Sequence, residues 1–151
     1  MNIGYACINM QLSYPQQYGG QEKGVLPITT GRSMIRRTFD SKGIVYASEK
    51  TLSNCSDLEE IVKWNINNGY KFFRVTSNLA PWKSEYRWDD MPDIEQIRKH
   101  LWSAGTMANT HNLRLTSHPG PFNVLTSPHP HVVTNCVRDL TDHGDVFDMM
   151  N

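Results

Sequence analysis

The fold is decided by residues 66–78, which read INNGYKFFRVTSN. Asn68 and Gly69 form a good helix end, because glycine and asparagine accept the left-handed backbone that closes many helices. Residues 70–75 then make a short apolar run of the kind found in buried strands. Ser77 and Asn78 place polar side chains where that strand ends. The segment therefore predicts a helix, a buried strand and a polar carboxyl edge in immediate succession.

The same pattern is found three times along the chain. Short apolar runs over residues 3–8, 70–75 and 113–116 predict three strands, and a stretch with helical spacing follows each of them. The first helix is predicted to begin near Gly43. Alternating strands and helices indicate parallel strands joined by right-handed crossovers. The three helical stripes are Leu52, Cys55, Leu58, Val62 and Ile66; Ile94, Ile97, Leu101, Ala104 and Ala108; and Val133, Cys136, Val137, Leu140 and Phe147.

These three βα units fit two α/β architectures. They could form a small doubly wound sheet, or the first part of a TIM-type (β/α)8 barrel, whose usual length is about 250 residues. The periodicity does not separate the two. Residues 10–42 form an unusually long connection between the first strand and the first helix, and a loop of that length inside a compact domain is usually functional.

Composition excludes several classes of protein. The chain has 151 residues with 15 basic and 15 acidic side chains, which argues for one globular domain and against a polycation or an acidic disordered tail. No apolar run approaches the roughly 18 residues that span a bilayer. The N-terminus lacks a signal-peptide pattern and the three cysteines are widely spaced, so a cytoplasmic protein is expected. Walker and Gly-x-Gly-x-x-Gly motifs are not found, which removes the main support for ATPase and Rossmann dehydrogenase functions.

His118 is the most informative single residue. It follows the third predicted strand and precedes Pro119, Gly120 and Pro121. A strand end followed by a proline-rich turn is a stiff mount, which suits a metal ligand or a general base. A histidine in this position can equally cap the strand through hydrogen bonds, and position alone does not decide between these roles.

Two further segments concentrate charge. Residues 79–90, after the second strand, interleave aromatic side chains with cations and acids, including Glu85. Such a loop can stack bases, bind phosphate or a divalent metal, or simply cover a barrel mouth. The long first connection is rich in cations, which favours a phosphate contact in a chain without net charge. These cations are Lys23, Arg32, Arg36, Arg37 and Lys42.

Taken together, these segments resemble the ultraviolet damage endonuclease family. The similarity runs from residue 3 to about residue 148 and depends on several short motifs that keep their order and spacing. They are Gly4-Tyr5-Ala6-Cys7-Ile8-Asn9, Gly31-Arg32-Ser33-Met34, Trp64-Asn65, Phe72-Phe73-Arg74, Pro81-Trp82, Thr116-Ser117-His118-Pro119-Gly120-Pro121-Phe122 and Leu125-Thr126-Ser127-Pro128. The resemblance implies a metal-dependent TIM-type barrel that nicks DNA on the 5′ side of ultraviolet photoproducts.

The resemblance also implies the residues of a catalytic site. His118 matches a metal ligand, and the expected cofactor is a divalent metal, manganese or alternatively magnesium. Tyr5 and Asn9 match first-strand positions that face the scissile phosphate and the lesion. Glu85 stands where family members often carry a histidine, so it is a candidate catalytic residue. A metal suits this chemistry, because it activates water and neutralises charge at the phosphate oxygens.

The implied partner is ultraviolet-damaged double-stranded DNA, and no membrane is expected. Pro121 and Phe122 match the pair that probes the distorted base stack, where a poorly stacked lesion costs little to open. Arg32, Arg36 and Arg37 are the expected phosphate contacts.

The length of the chain limits what the resemblance implies. Residues 1–151 reach only about the first three βα units, so we expect the N-terminal part of a barrel that is inactive alone and is completed by a C-terminal half. One alternative is a non-catalytic module that binds DNA lesions. Another is a fragment of a sugar-isomerase-like barrel, against which Phe122 and the arginine cluster argue.

Overall fold

Three short parallel strands form the centre of the fold. A computed structural model describes residues 3–120 and 123–151. Strands β1 (Gly4–Ala6), β2 (Phe72–Arg74) and β3 (Arg114–Thr116) make one sheet in the order β1-β2-β3. Tyr5 pairs with Phe73, and Phe73 pairs with Leu115. The predicted α/β class with parallel strands is confirmed, and this strand order is common to the first strands of both architectures considered above.

Each strand is shorter than its apolar run predicts. After Ala6, Cys7 takes a left-handed backbone conformation with φ of 62°, so the extended backbone of β1 ends there. One more hydrogen bond still joins the strands, because the Cys7 amide donates to the Arg74 carbonyl at 2.7 Å. The chain then turns, and Asn9 comes to lie just beyond the carboxyl end of β1.

Four helices accompany the sheet. They are α1 (Met10–Ser13), α2 (Arg36–Asn67), α3 (Ile94–Thr110) and α4 (Pro130–Asp148), and short 3₁₀ turns occupy Lys83–Glu85 and Trp88–Asp90. The predicted helix end at Asn68 and Gly69 is confirmed. None of the helices within residues 3–120 and 123–151 combines the length and the apolar character that crossing a membrane requires.

The predicted start of the first long helix near Gly43 is confirmed, because two helices meet at a kink there and the longer one follows Gly43. Helix α2 begins at Arg36, and Gly43 is a break inside it, with φ of 64° and ψ of −159°. Glycine accepts this conformation at little cost, so the chain makes helical turns before Gly43 and changes direction there. The connection predicted as a loop over residues 10–42 therefore contains α1 and the first segment of α2.

The core lies between one face of the sheet and the pair α2 and α3. Phe73 is completely buried on this face, and the predicted stripes of both helices supply most of its neighbours. The completely buried members are Cys55, Leu58 and Val62 of α2 and Ile97, Leu101 and Ala104 of α3. On the opposite face of the sheet, Gly4, Ala6 and Arg114 are exposed.

Helix α4 departs from its predicted stripe. Of the five stripe residues only Cys136 is buried, and Val137 is 53% exposed. Contacts of α4 with the loop after β2 include the ion pair between Asp142 and Lys83. A helix that faces a loop rather than another helix buries less of its apolar stripe.

Candidate functional site

The first-strand residues Tyr5 and Asn9 share a hydrogen-bond network. The Tyr5 hydroxyl donates to Asn65 Oδ1 at 2.6 Å and accepts from Asn9 Nδ2 at 2.7 Å. Asn9 Oδ1 in turn accepts from the Leu12 amide at 3.1 Å and so caps α1. Asn9 is nearly buried, and Asn65 is completely buried in the last turn of α2. The network fixes the start of the long connection against the strand and against α2.

The Tyr5 phenol is kept in its neutral form by its surroundings. Its ring packs edge-on against Tyr70 and tilted against Phe73, with centroids 5.3 and 5.1 Å away. Burial raises the pKa of Tyr5 to about 12, which outweighs the hydrogen bonds to Asn9 and Asn65. At neutral pH the hydroxyl is therefore a donor and acceptor of hydrogen bonds, and it does not act as an anionic nucleophile.

Arg32 anchors the long connection to α2. Its guanidinium donates to Asp57 Oδ2 at 2.5 Å and to the Thr29 carbonyl at 2.6 Å. Asn54, completely buried in α2, accepts from the Arg32 amide at 3.1 Å and donates to the Arg32 carbonyl at 2.9 Å. The second hydrogen of the Asn54 amide reaches the Leu79 carbonyl at 2.9 Å. Asn54 thus ties the connections after β1 and β2 to one point.

Arg36 and Glu85, which lie far apart in the sequence, meet in one surface cluster. The Arg36 guanidinium lies 3.3 Å from Glu85 Oε1 and donates to Asp40 Oδ1 at 2.7 Å. It also lies over the Trp82 ring, 5.5 Å from the centroid. Phe39 stacks near Trp82, and the Trp82 indole donates to the Met34 carbonyl at 3.0 Å. The cluster joins the first segment of α2 to the loop after β2.

The remaining basic candidates are available to a ligand. Lys23 and Arg37 are exposed, and within residues 3–120 and 123–151 neither side chain makes a hydrogen bond or an ion pair. Lys42 lies over the Tyr46 ring, 4.2 Å from its centroid. The five cations are therefore not equivalent, since Arg32 and Arg36 are paired with acids, Lys42 lies over a ring, and Lys23 and Arg37 are exposed.

His118 lies exposed just after β3, where the third predicted strand was expected to end. Within the described parts of the chain, no three His, Cys, Asp or Glu side chains come close enough together to hold a metal ion. Glu85 is paired with Arg36 and does not contact His118. Pro121 and Phe122 lie outside the described residues.

A cavity of about 260 Å³ lies at the carboxyl ends of β2 and β3, against α4. Lys83 and Asp142 form an ion pair on its wall, with Nζ and Oδ1 2.8 Å apart and both side chains largely covered. Lys83 also donates to the Tyr86 carbonyl at 3.0 Å and lies 5.1 Å from the Trp88 ring centroid. The charges of Lys83 and Asp142 neutralise each other, and the pair holds the loop after β2 to α4.

Asn54, Asp57 and Asn65 are residues of this site that sequence reasoning did not assign. Each projects from α2 and binds a loop or strand residue. A signal was present, because Asn54 and Asn65 are polar residues beside the apolar stripe of a long helix. A buried polar side chain in such a position is almost always hydrogen-bonded.

Comparison with known proteins gives a consistent result. A family model described as UV-endonuclease UvdE matches residues 1–151. The "UV-damage endonuclease" of Schizosaccharomyces pombe is 31% identical over 148 residues, an alignment that covers 98% of this chain and 23% of that protein. The "Putative UV-damage endonuclease" of Acanthamoeba polyphaga mimivirus is 30% identical, with 99% and 42% covered. The "UV DNA damage endonuclease" of Clostridium perfringens is 27% identical, with 99% and 32% covered.

A solved structure shows the same fold. The crystal structure of SacUVDE superposes with a TM-score of 0.75 at 23% identity, covering 99% of this chain and 46% of that one. The chain thus spans less than half the length of each of these similar proteins.

Proposed function

The chain belongs to the UV-endonuclease UvdE family, and from this premise we propose that it is the N-terminal part of a DNA-repair endonuclease. The complete enzyme nicks double-stranded DNA on the 5′ side of ultraviolet photoproducts by divalent-metal-dependent hydrolysis of a phosphodiester. The observation that carries this proposal is the family match over all of residues 1–151. It also favours a nuclease over the sugar-isomerase-like alternative.

A partial TIM-type barrel is the architecture that we propose. Three parallel strands in sequential order, each followed by a helix, are what the first three units of such a barrel provide. The exposed face of the sheet, with Gly4, Ala6 and Arg114, then faces the barrel interior. A C-terminal half pairs with the free sheet edges and closes the barrel, which removes both edges from solvent.

We propose that Tyr5 positions Asn9 rather than reacting itself. Its neutral hydroxyl holds the Asn9 amide at 2.7 Å, at the carboxyl edge where the sites of βα proteins are built. Asn9 then contacts the damaged nucleotides. Pro121 and Phe122 probe the base stack, and Arg36, Arg37 and Lys23 contact phosphates, with Arg32 holding the connection that leads into α2.

The residues present supply only part of a metal site. His118 is an exposed imidazole at a strand end, and we propose that it contributes one ligand to a manganese or magnesium site. Since Glu85 is held by Arg36, its carboxylate must leave that pair before it can contribute a second. The remaining ligands come from the C-terminal half.

A nicking assay tests the proposal. Ultraviolet-irradiated plasmid is incubated with manganese and the purified chain, with and without a supplied C-terminal half of a family member. We expect no nicking by residues 1–151 alone and 5′-specific nicking by the combination, with unirradiated plasmid as the control. Robust manganese-dependent nicking by the purified chain alone would contradict the N-terminal-part argument, and lack of affinity for irradiated DNA would contradict the function.

A further inference from the structure

The long connection carries an exposed apolar surface that the proposed site does not use. Among the described residues, seven of the thirteen exposed large apolar side chains lie between residues 8 and 35. They are Ile8, Met10, Tyr14, Tyr18, Val25, Leu26 and Ile35. Soluble proteins seldom collect exposed apolar groups on one segment unless that segment binds something. The connection is therefore a candidate binding surface.

Two tyrosines form the aromatic part of this surface. Tyr14 and Tyr18 are 47% and 48% exposed, and their rings meet edge to face with centroids 6.2 Å apart. We call these two residues the tyrosine pair. Tyr14 also lines a groove of about 390 Å³, together with Ile8, Pro27 and Arg32. A half-exposed ring beside a cation and an apolar wall is suited to stacking on a planar group.

The backbone that carries the tyrosine pair is well ordered by hydrogen bonds. The Tyr18 amide donates to the Tyr14 carbonyl at 3.0 Å, and Gly19 donates to the Pro15 carbonyl at 3.1 Å. At Gly19 a side chain would collide with the carbonyls of Gln11 and Pro15, so this turn packs closely on α1. The rings are thus displayed from a fixed turn, which lowers the entropy lost on binding.

The part of the connection that follows the tyrosine pair is also held by hydrogen bonds. Gln16 Nε2 donates to the Val25 carbonyl at 3.0 Å, and the Ser13 hydroxyl donates to the Ile28 carbonyl at 3.2 Å. Arg32 and Asp57 then fix the end of this segment to α2. The exposed apolar surface therefore lies on a segment that is anchored at both ends, and the fold keeps it in one position.

Charge identifies the class of ligand. Residues 10–37 contain four cations against one acid, Glu22, in a chain whose net charge is zero. Arg32 and Arg36 are paired with acids elsewhere in the fold, so Lys23 and Arg37 are the cations of this segment that have no ion pair among the described residues. Exposed aromatic rings on a segment that also carries cations are an arrangement by which proteins hold unpaired nucleotides, with stacking on the bases and ion pairing to the phosphates. An acidic protein would satisfy the cations but would leave the rings without a planar partner.

We infer that the tyrosine pair is a base-stacking platform that holds an unstacked nucleotide next to the lesion, while Lys23 and Arg37 contact its flanking phosphates. This inference rests on the proposed function and extends it to two residues that none of the family motifs quoted above contains. The platform recognises the π-face of a base, so it is tolerant of sequence and prefers DNA in which stacking is already disturbed.

Fluorescence anisotropy with the purified chain tests the platform. The probes are a labelled ultraviolet-irradiated duplex, the same duplex without irradiation, and single-stranded oligo(dT). We expect Y14A/Y18A to weaken binding of the irradiated duplex and of oligo(dT) at least about fivefold, without changing the salt dependence of binding. Y14F/Y18F, which keeps both rings, should bind like the wild type. R37A should instead reduce the salt dependence by about one phosphate contact.

Controls separate the platform from general damage to the protein. W102A removes another exposed aromatic side chain, 57% exposed on α3, and should leave binding unchanged. Thermal unfolding of every variant reports on its fold. Strong binding by the wild type that Y14A/Y18A does not weaken would overturn the platform and leave the proposed function standing. A wild type that binds none of the three probes would contradict both.

Discussion

Helices α3 and α4 follow neighbouring strands and have similarly amphipathic sequences, yet they are buried very differently. Helix α3 buries Ile97, Leu101, Ala104, Gly105 and Ala108, whereas α4 buries only Cys136 and Val146. Helix α4 contributes Val146 to the core, and polar contacts also join it to the rest of the chain, including the Asp142 ion pair with Lys83 and the hydrogen bond from the Val124 amide to Cys136 Sγ at 3.0 Å.

The difference shows that periodicity predicts a helix but not the surface that covers it. An apolar stripe stabilises the fold only by the area that a neighbour removes from water. Helix α3 shares the core with α2, and α4 borders the loop after β2 and a cavity of about 260 Å³. We therefore expect apolar contacts to stabilise the α3 side of the molecule and polar contacts to hold α4.

The largest expected effect is a contrast between core substitutions on the two helices. Leu101 of α3 is completely buried, so L101A should lower the free energy of unfolding by about 2–5 kcal/mol. Val137 occupies the stripe of α4 but is 53% exposed, and V137A should cost less than about 0.5 kcal/mol. Urea unfolding measures both. Equal losses for the two variants would break the comparison.

The contact between the ends of the two helices gives the next effect. A side chain added at Gly105 of α3 would collide with the backbone carbonyl of Met150, just after α4. G105A should therefore push the two segments apart and cost about 1–3 kcal/mol in the free energy of unfolding. The matched control is G144A, since Gly144 lies inside α4 with open space around it. Alanine favours helices, so G144A should be neutral or slightly stabilising. A neutral G105A would show that α4 is free to shift.

A smaller effect tests whether polar contacts hold α4. D142N leaves the largely covered Lys83 ammonium without its ionic partner and should cost about 1–2 kcal/mol. Amide hydrogen exchange should then accelerate in α4 and remain slow in α3. D89N is the control, because the pair between Asp89 and Arg98 is exposed and should contribute less than about 0.5 kcal/mol. If amide hydrogen exchange accelerated equally in both helices, α3 and α4 would not be stabilised by different contacts.

The sequence predicted what depends on local pattern. It predicted the α/β class, the parallel strands, the end of α2 and the buried stripe of α3, since each follows from periodicity or from residues such as Asn68 and Gly69. It located the start of the long helix at Gly43 but did not predict the helical turns of residues 36–42, which no apolar stripe marks. The exposure of α4 depends on which distant residues pack against it, and the local sequence pattern does not indicate those residues.

Within the site, the sequence identified several of the residues but not the hydrogen bonds and ion pairs that they form. Tyr5 and Asn9 share a network, but their link to Asn65 spans sixty positions and no motif indicates it. Arg32 and Arg36 were predicted as equivalent phosphate contacts. The structure separates them, because Arg32 binds Asp57 and Arg36 lies between Asp40 and Glu85. Which cation is engaged internally depends on where acids fold, and spacing does not show it.

The smallest expected effect concerns a polar contact on the α3 side, where apolar packing should dominate. Glu59 of α2 accepts from the Ser103 hydroxyl at 2.6 Å and lies 2.7 Å from His100 Nδ1, both on α3. Partial burial acts to raise the pKa of Glu59, but the hydrogen bonds from Ser103 and His100 outweigh it and hold the pKa below its ordinary value.

A lowered pKa in the folded state stabilises the protein above the ordinary pKa of the carboxyl group, and this contribution is lost as pH falls through the folded-state pKa. We therefore expect E59Q to cost less than about 1 kcal/mol at about pH 6 and almost nothing at about pH 3. Urea unfolding of both proteins at the two pH values measures the difference.

E95Q is the control, since Glu95 pairs with Arg98 on the exposed surface of α3 and should change stability little at either pH. A cost for E59Q that stays the same at both pH values would mean that the ionised carboxylate does not contribute. A cost at pH 6 as large as that of L101A would mean that polar contacts matter on the α3 side as much as they do for α4.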